Sequence, residues 1–366
     1  MRVGLVCPYS LSLPGGVQGQ VLGLARALRA KGHDARVLGP CDGPPPETGV
    51  IPLGDTVATL ANGSVAPLAP DIPCVLRTIR ALRDEDFDVV HLHEPLAPGP
   101  TLTSVVFTST PTVGTFHAAG TSAAYLYLRP LTRWLGRQLS IRCAVSEDAR
   151  DMASRALGGE YLVVHNGIDI ERFAKASPWP TDAPTILFLS RHESRKGLAV
   201  LLEALDYLPG DVRLWVASDG PETGRLRAKV AGDARVEWLG RITEEEKAQR
   251  LRTADVLCAP SLGGESFGMV LLEGMAAQTA IVASDLPGYS NVARHEKEAL
   301  LVRRGDPQAL AGALRRVLDE PQLAESLVAG GEARAAEFSM ESLADRYVEL
   351  YGQAARTSGL KVDNHA

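Results

Sequence analysis

The chain has 366 residues, 45% hydrophobic and 22% charged, with 35 glycines, 24 prolines and a formal net charge of -6. Its length supports two domains, and its composition is that of a globular chain rather than a disordered, collagenous or membrane-spanning one. Five scattered cysteines, at 7, 41, 74, 143 and 258, contain no C-x-x-C pair, so a reducing compartment is expected and a disulfide framework or zinc site is not.

The first residues, Arg2 and a short apolar run ending at Cys7-Pro8, lack the plan of a signal peptide or anchor, and no apolar run approaches a membrane span. Any membrane contact is therefore expected to be peripheral. Charge is unevenly placed: residues 1 to 175 hold 16 Lys+Arg and 16 Asp+Glu, and the remainder holds 22 and 28. No acid occurs between Glu94 and Glu147, while Arg129, Arg133, Arg137 and Arg142 fall inside that window. This predicts one basic face on an acidic protein, and no nucleic-acid partner is expected.

Val3 to Cys7 has the profile of a buried parallel strand. Pro14-Gly15-Gly16 leads from it into Val17 to Lys31, where Val17, Val21, Leu24, Ala25 and Leu28 keep helical spacing until Gly32. Strand, glycine loop and helix form a phosphate-approach arrangement, but the G-x-G-x-x-G spacing of a dinucleotide site is missing. Residues 40 to 70 read as an irregular excursion rich in proline and glycine. Leu76 to Leu82 is helical, with Arg77, Arg80 and Arg83 on one stripe.

Asp88 to Leu92 and Thr112 to Phe116 are further strands, ending at His93 and His117. Ligands of an open parallel sheet collect at the carboxyl ends of strands, which makes His117 a candidate. Asp86-Phe87-Asp88 superficially resembles a metal-binding D-x-D but precedes its strand, and reads as a solvated turn. In Tyr125 to Leu139, Arg129, Arg133 and Arg137 repeat every four residues beside Leu128, Leu131, Trp134, Leu135 and Leu139. That pattern suits a helix lying on anionic lipid, or the solvated edge of a packed helix.

Strands at Ile141 to Val145 and Tyr161 to Val164 complete the first unit, and Lys175 to Ala183, with Pro178 and Pro180, reads as a linker. Thr185 to Leu189, Val212 to Ala217, Val256 to Ala259 and Ala280 to Ala283 are strands of a second doubly wound sheet. After the first of these come Arg191 and Lys196, flanking a loop at the strand's carboxyl end and suited to a diphosphate. Glu244 opens a helix that borders a possible base pocket. Residues 307 to 337 are helical, and so is a last helix from about Met340 to Ala355.

The organising stretch is Gly263-Gly264-Glu265-Ser266-Phe267-Gly268-Met269-Val270-Leu271-Leu272-Glu273. Read as a turn and the opening of a helix, it places Glu265 and Glu273 near one face, roughly 12 Å apart along the axis. N–H groups around Ser266 to Gly268 then lie between the two carboxylates, where an anion would sit. A nucleotide-sugar has that order of groups; two merely solvated glutamates are the alternative.

With the Arg191 and Lys196 loop, Glu265-x7-Glu273 resembles the retaining GT-B glycosyltransferases of family 4, which include glycogen and sucrose-phosphate synthases. Cys7-Pro8-Tyr9-Ser10, Pro14-Gly15-Gly16-Val17-Gln18, Asn62-Gly63-Ser64-Val65, His91-x-His93-Glu94-Pro95 and Thr115-Phe116-His117 are similar, within that group, to the actinobacterial phosphatidylinositol mannosyltransferases. The resemblance implies an α/β fold of two Rossmann-like doubly wound domains facing across a cleft. Residues 1-170 would form the acceptor domain and 171-339 the donor domain, with the helix of 340-366 packing back on the first.

It further implies GDP-mannose as donor, phosphatidylinositol or another inositol-containing acceptor, no cofactor or metal, and a peripheral position on the cytoplasmic face of the plasma membrane. Gly16, Arg191 and Lys196 would hold the diphosphate, Glu265 the hexose hydroxyls, Glu273 the ribose, and Ile242, Glu244 and Lys247 the guanine. Ser266, Phe267, Gly268, Met269 and Val270 would line the donor, and His117 would contact the reacting sugar. Tyr9, Gln18, Asn62 and Ser64 would meet the inositol, and Arg77, Arg80, Arg83, Arg129, Arg133 and Arg137 the anionic membrane surface. Where that family has aromatic and basic residues around the Asn-Gly-Ser segment, this chain has Ala61 and Pro67, and Ala118-Ala119-Gly120-Thr121-Ser122 replaces a Thr-Ser-Thr-Thr-Lys run. Such departures fall on the acceptor side, so a transferase with a soluble acceptor is the first alternative and a non-catalytic nucleotide-sugar binder the second.

Overall fold

The computed structural model describes residues 1–13, 15–61, 64–117 and 129–362, with the main chain alone at 58–61, 64–66, 129 and 358–362. Two compact units result: Met1–Gly167 with Met340–Ala366, and Ile168–Ser339.

In the first unit, β1 (Arg2–Val6), β2 (Asp34–Gly39), β3 (Val50–Pro52), β6 (Val89–His93), β7 (Thr112–Phe116), β8 (Ile141–Ala144) and β9 (Leu162–Val163) pair in the order β3-β2-β1-β6-β7-β8-β9. All the pairings are parallel. Val3, Leu5, Val6, Val90, Leu92, Val113 and Phe116 are fully buried, as continuous apolar strands covered on both faces must be. The helix Gly16–Ala30 contributes Val21, Leu24, Ala25 and Leu28 to one covering layer.

The helix Met340–Val362 adds Ala344, Tyr347, Leu350, Tyr351 and Ala354, a stripe at helical spacing, to the same core. Burying Leu350 is worth about 1.5–3 kcal/mol, and the stripe as a whole anchors the C-terminal helix to this unit.

Two readings of the sequence need correction here. Residues 40 to 70 are not wholly irregular: they contain β3 and an antiparallel hairpin of β4 (Val57–Ala61) and β5 (Ser64–Leu68). The helix Pro100–Phe107 was also not foreseen. It starts after Gly99, whose φ of 108° and a would-be Cβ only 2.6 Å from Ala69 O admit no side chain. Of the stretch Tyr125 to Leu139, residues 125–128 lie outside the described residues; the described helix, Arg129–Gly136, ends three residues before Leu139. Asp86 occupies a turn at φ 46°, and Asp88 accepts the Arg2 N–H at 2.7 Å, so Asp86-Phe87-Asp88 does local structural work.

In the second unit, β10 (Thr185–Leu189), β11 (Arg213–Ala217), β12 (Val236–Gly240), β13 (Val256–Ala259), β14 (Ala280–Ser284) and β15 (Leu300–Val302) pair in parallel as β12-β11-β10-β13-β14-β15. This is the doubly wound order, with its crossover at β10/β13. Strands β12 and β15 are the two the sequence reading passed over; they are the edges, β15 only three residues long and β12 half-exposed.

The proline-rich stretch read as a linker belongs inside this unit. Trp179 donates its main-chain N–H to Gln249 O at 3.3 Å and accepts from Thr253 Oγ1 at 2.7 Å. The Arg250 guanidinium lies 4.3 Å from the Trp179 ring and 4.6 Å from that of Trp215, fastening the stretch to the core. No described helix is long and apolar enough to cross a membrane.

Candidate active site

In the second unit the chain leaves β10 and makes one tight turn, Ser194–Lys196, ending at Gly197. Gly197 has φ 71°, and a Cβ there would stand 1.9 Å from Pro260 O, so only glycine lets this loop lie against the end of β13. That close approach brings Lys196 Nζ within 2.6 Å of Glu265 Oε1. Ser261 Oγ donates to the same oxygen at 2.7 Å, and Tyr289 OH donates to Ser261 Oγ at 3.0 Å. Arg195 donates to Gly264 O at 3.2 Å and stands 4.0 Å from Glu265. Glu193, whose side chain is mostly buried, bridges Arg191 at 3.2 Å and Arg195 at 2.9 Å.

Glu265 itself lies outside the helix, which corrects the axial spacing read from the sequence. Gly264 and Gly268 sit at φ 73° and 92°, and the helix runs only from Met269 to Ala276. A left-handed residue ends any helical path, so Ser266, Phe267 and Gly268 form a bend and Met269 and Val270 the first helical positions.

One turn further, Glu273 Oε1 accepts from Lys247 Nζ at 2.7 Å. Lys247 lies 2.9 Å from Glu244 Oε2, which also takes Arg172 Nη2 at 2.6 Å, and 5.8 Å from the centre of the Phe173 ring. Burial opposes the charge on Lys247, but Glu273 and Glu244 outweigh it and raise its pKa above the ordinary lysine value. Glu244 is likewise held below the usual carboxylate value, burial being outweighed by Lys247 and Arg172. Ile242 packs at the border of the adjoining core. Both Glu265 and Glu273 spend one oxygen on a lysine; the other oxygen of each has no hydrogen-bond partner among the described residues.

In the first unit, Gly16 opens its helix behind Gly15, which offers no side-chain cap, and the space beyond Gly16 is open. Gln18 is buried, with Nε2 donating to Ser10 O at 3.2 Å, and Tyr9 pairs with Leu68 of the hairpin. Asn62 lies outside the described residues, as do the side chains of Ser64 and Arg129.

His117 follows β7 and is 8% exposed. Its main-chain N–H donates to Glu94 Oε1 at 2.7 Å, and its Nε2 lies 2.9 Å from His93 Nδ1. His91 stacks on His93 with ring centres 4.2 Å apart, and its own nitrogens meet Tyr351 OH at 2.8 Å and Thr115 Oγ1 at 2.7 Å. Burial lowers the pKa of His117 to about 4 and of His91 to about 3, and pushes that of His93 well below the ordinary histidine value. All three are neutral at physiological pH.

Of the basic residues, Arg77 spends Nε on Leu53 O at 2.7 Å and Arg80 pairs with Asp84 at 3.1 Å, while Arg83 is exposed. Ile72 and Leu76 of the same helix are 73% and 61% exposed. On the other helix Leu135 and Leu139 are buried, whereas Leu131 and Trp134 stand exposed among Arg133 and Arg137.

Phosphatidyl-myo-inositol mannosyltransferase of Mycobacterium leprae is 40% identical over 99% of both chains, and that of Propionibacterium freudenreichii is 35% identical over 99% of this chain and 98% of its own. The chain belongs to the phosphatidyl-myo-inositol mannosyltransferase family. It is thus a glycosyltransferase, consistent with matches to the families described as Glycosyltransferase Family 4, over residues 14–172, and Glycosyl transferases group 1, over residues 183–320.

The fold of this family member is that of GT-B structures. Anabaena HepE in complex with UDP and glucose superposes with a TM-score of 0.77 at 18% identity, over 96% of this chain and 100% of that one. Sucrose-phosphate synthase from Thermosynechococcus elongatus gives 0.73 at 21%, over 96% and 98%.

The sequence reading brought forward Arg191, Lys196, Glu244, Lys247, Glu265 and Glu273, which the fold gathers in two linked clusters. It overlooked Glu193 and Arg195, both inside a stretch already singled out, and there the alternation of charge was a visible signal. Within the second unit, Arg172, Ser261 and Tyr289 reach these clusters by tertiary folding, and no local pattern marks them.

Proposed function

We propose that the protein transfers mannose from GDP-mannose to the inositol ring of phosphatidylinositol, with retained anomeric configuration, as a peripheral enzyme of the inner membrane face. The observation that carries this reading is the pairing of Lys196 with Glu265 and of Lys247 with Glu273, in a chain matched end to end by relatives named for that transfer.

Lys196 and Arg191 are held by Glu265 and Glu193 until a diphosphate arrives and takes a share of their N–H donors. Their charge then stabilises the departing diphosphate, a service that cationic side chains and metal ions perform alike. The open oxygen of Glu265 accepts hexose hydroxyls and that of Glu273 the ribose, while Ile242, Glu244 and Lys247 border the base. In this reading the leaving phosphate oxygen takes the proton of the attacking inositol hydroxyl, so bond breaking and bond making occur on one face of the sugar and no protein nucleophile is used.

Gln18, Tyr9, Asn62 and Ser64 serve the inositol. The exposed Leu131 and Trp134 with Arg133 and Arg137, and Ile72 and Leu76 with Arg80 and Arg83, suit contact with anionic lipid, apolar side chains entering and cations remaining at the headgroups. The test offers GDP-mannose and UDP-glucose separately, with phosphatidylinositol, and determines the anomeric configuration of the product by NMR. Transfer from GDP-mannose with an α-linked product supports the reading; transfer from UDP-glucose alone, or a β-linked product, defeats it.

A further inference from the structure

We propose that His93 donates its Nδ1 proton to His117 Nε2 and thereby fixes His117 as the neutral Nδ1–H tautomer, a hydrogen-bond donor rather than a base toward the transferred sugar. His93 would be a positioning residue for the reaction, acting through His117. The inference rests on the transferase reading only for what His117 touches; the tautomer is a property of the protein alone.

The geometry starts at the end of β6. His93 is 2% exposed, its Nδ1 lies 2.9 Å from His117 Nε2, and its Nε2 is buried with no hydrogen-bond partner among the described residues. Two neutral arrangements satisfy the short contact. If His117 Nε2–H donates, the single proton of His93 sits on Nε2, where it is an N–H buried with nothing to accept it. If His93 Nδ1–H donates, His93 Nε2 is only a lone pair, and the proton of His117 moves to Nδ1. Orphaned buried N–H groups are the rarer and costlier exception, which selects the second arrangement. Among the described residues His117 Nδ1 has no hydrogen-bond partner, so its N–H is available to a ligand oxygen.

The ring of His93 is not free to turn and escape this choice. It is stacked between His91 and His117, at 4.2 and 5.2 Å between centres, and His91 is locked by Tyr351 OH and by Thr115 Oγ1, which also meets Tyr347 OH at 2.9 Å. Among the described residues, the groups about the pair include His91, two tyrosines and Thr115, all uncharged at neutral pH, and the Glu94 carboxylate, which accepts the main-chain N–H of His117. Burial by these neighbours keeps the imidazoles neutral. Glu94 itself stands at φ 51°, a left-handed position that a non-glycine residue holds only when its surroundings impose it. Glu94 thus holds the main chain of His117 while His93 holds its ring nitrogen Nε2.

The experiment is nitrogen NMR at neutral pH of protein labelled at its histidines, with His117→Gln assigning the His117 signals. The wild type is expected to show His117 Nδ1 protonated and Nε2 unprotonated. His93→Leu should release the constraint and shift His117 toward Nε2–H. His93→Asn, whose amide nitrogen takes the place of ring Nδ1, should restore it. A cooperative thermal unfolding transition close to that of the wild type in each variant shows that the fold survives. In the transfer assay His93→Leu should lower kcat about 10- to 100-fold, the cost of one misdirected hydrogen bond, with KM for the donor little changed and recovery in His93→Asn. Nε2–H or a cation at His117 in the wild type, or a tautomer indifferent to His93→Leu, overturns the proposal. Absence of transfer by the wild type counts against the transferase reading instead and leaves the NMR result standing.

Discussion

Replacing Lys196 by methionine keeps the length of the side chain but leaves Glu265 without its main counter-charge. The two side chains are 16% and 11% exposed and meet at 2.6 Å. Stranding one member of a wholly buried pair costs about 3–5 kcal/mol, whereas breaking an exposed pair costs under about 1 kcal/mol. Glu265 retains the Ser261 hydroxyl at 2.7 Å and Arg195 at 4.0 Å, which places Lys196→Met between those limits, at about 1–2 kcal/mol.

Thermal unfolding should therefore move down by about 3–6 °C. Turnover should fall far more, about 100- to 1000-fold, because a cation is lost from the point where charge develops on the leaving group. Glu265→Gln and the double variant complete a cycle, in which the stability effects should fall short of additivity by about 1 kcal/mol. Additive effects would show that the two groups do not act as a pair. Turnover of Lys196→Met within threefold of wild type would remove Lys196 from the leaving group.

Lys247→Met should weaken GDP binding about tenfold or more by calorimetry, since it frees both Glu273 and Glu244 from their shared cation; unchanged affinity would detach this cluster from the nucleoside. Leu131→Ser with Trp134→Ser, combined with Arg133→Gln and Arg137→Gln, should reduce sedimentation with anionic vesicles severalfold at constant fold, and undiminished binding would place the lipid contact elsewhere. The three buried histidines have depressed pKa values, so the unfolded chain binds more protons than the folded one below about pH 6.5. Stability present above the unfolded pKa is thus lost as pH falls toward the folded values of about 4 and 3 for His117 and His91. Denaturant melts at pH 7 and pH 5 should show this decline, at up to about 1.4 kcal/mol per pH unit for each histidine, before most carboxylates titrate; a flat profile would contradict neutral burial.

Much of the scaffold was legible because covered parallel strands must be continuously apolar. Thr112 to Phe116 and Thr185 to Leu189 were read with the bounds they have in the fold. Edge strands lack that signal: β3 is three residues long and ends in Pro52, and β12 is half-exposed. Glu265 was read in the turn, but its distance to Glu273 was reckoned on helical turns, and the left-handed Gly268 between them carries no mark in its neighbours.

Charged residues close to one another in sequence suggested the loop of Arg191 and Lys196. The pairing of Lys196 with Glu265 depends on the 69-residue excursion that lets Gly197 meet Pro260, and only the folded chain contains that contact. His93 was legible as a strand end and as part of the His91-x-His93-Glu94-Pro95 motif; its relation to His117 follows from the parallel pairing of β6 with β7, which sets His93 beside Thr115.

The most direct measurement is transfer of radiolabelled mannose from GDP-mannose by the purified protein, offered phosphatidylinositol vesicles and soluble inositol phosphates in parallel. Label in the lipid fraction, abolished by Glu265→Ala while GDP binding persists, is the result expected. Label confined to a water-soluble product would keep the donor site and overturn the lipid acceptor, and no transfer to either acceptor despite tight GDP binding would contradict catalysis by this site.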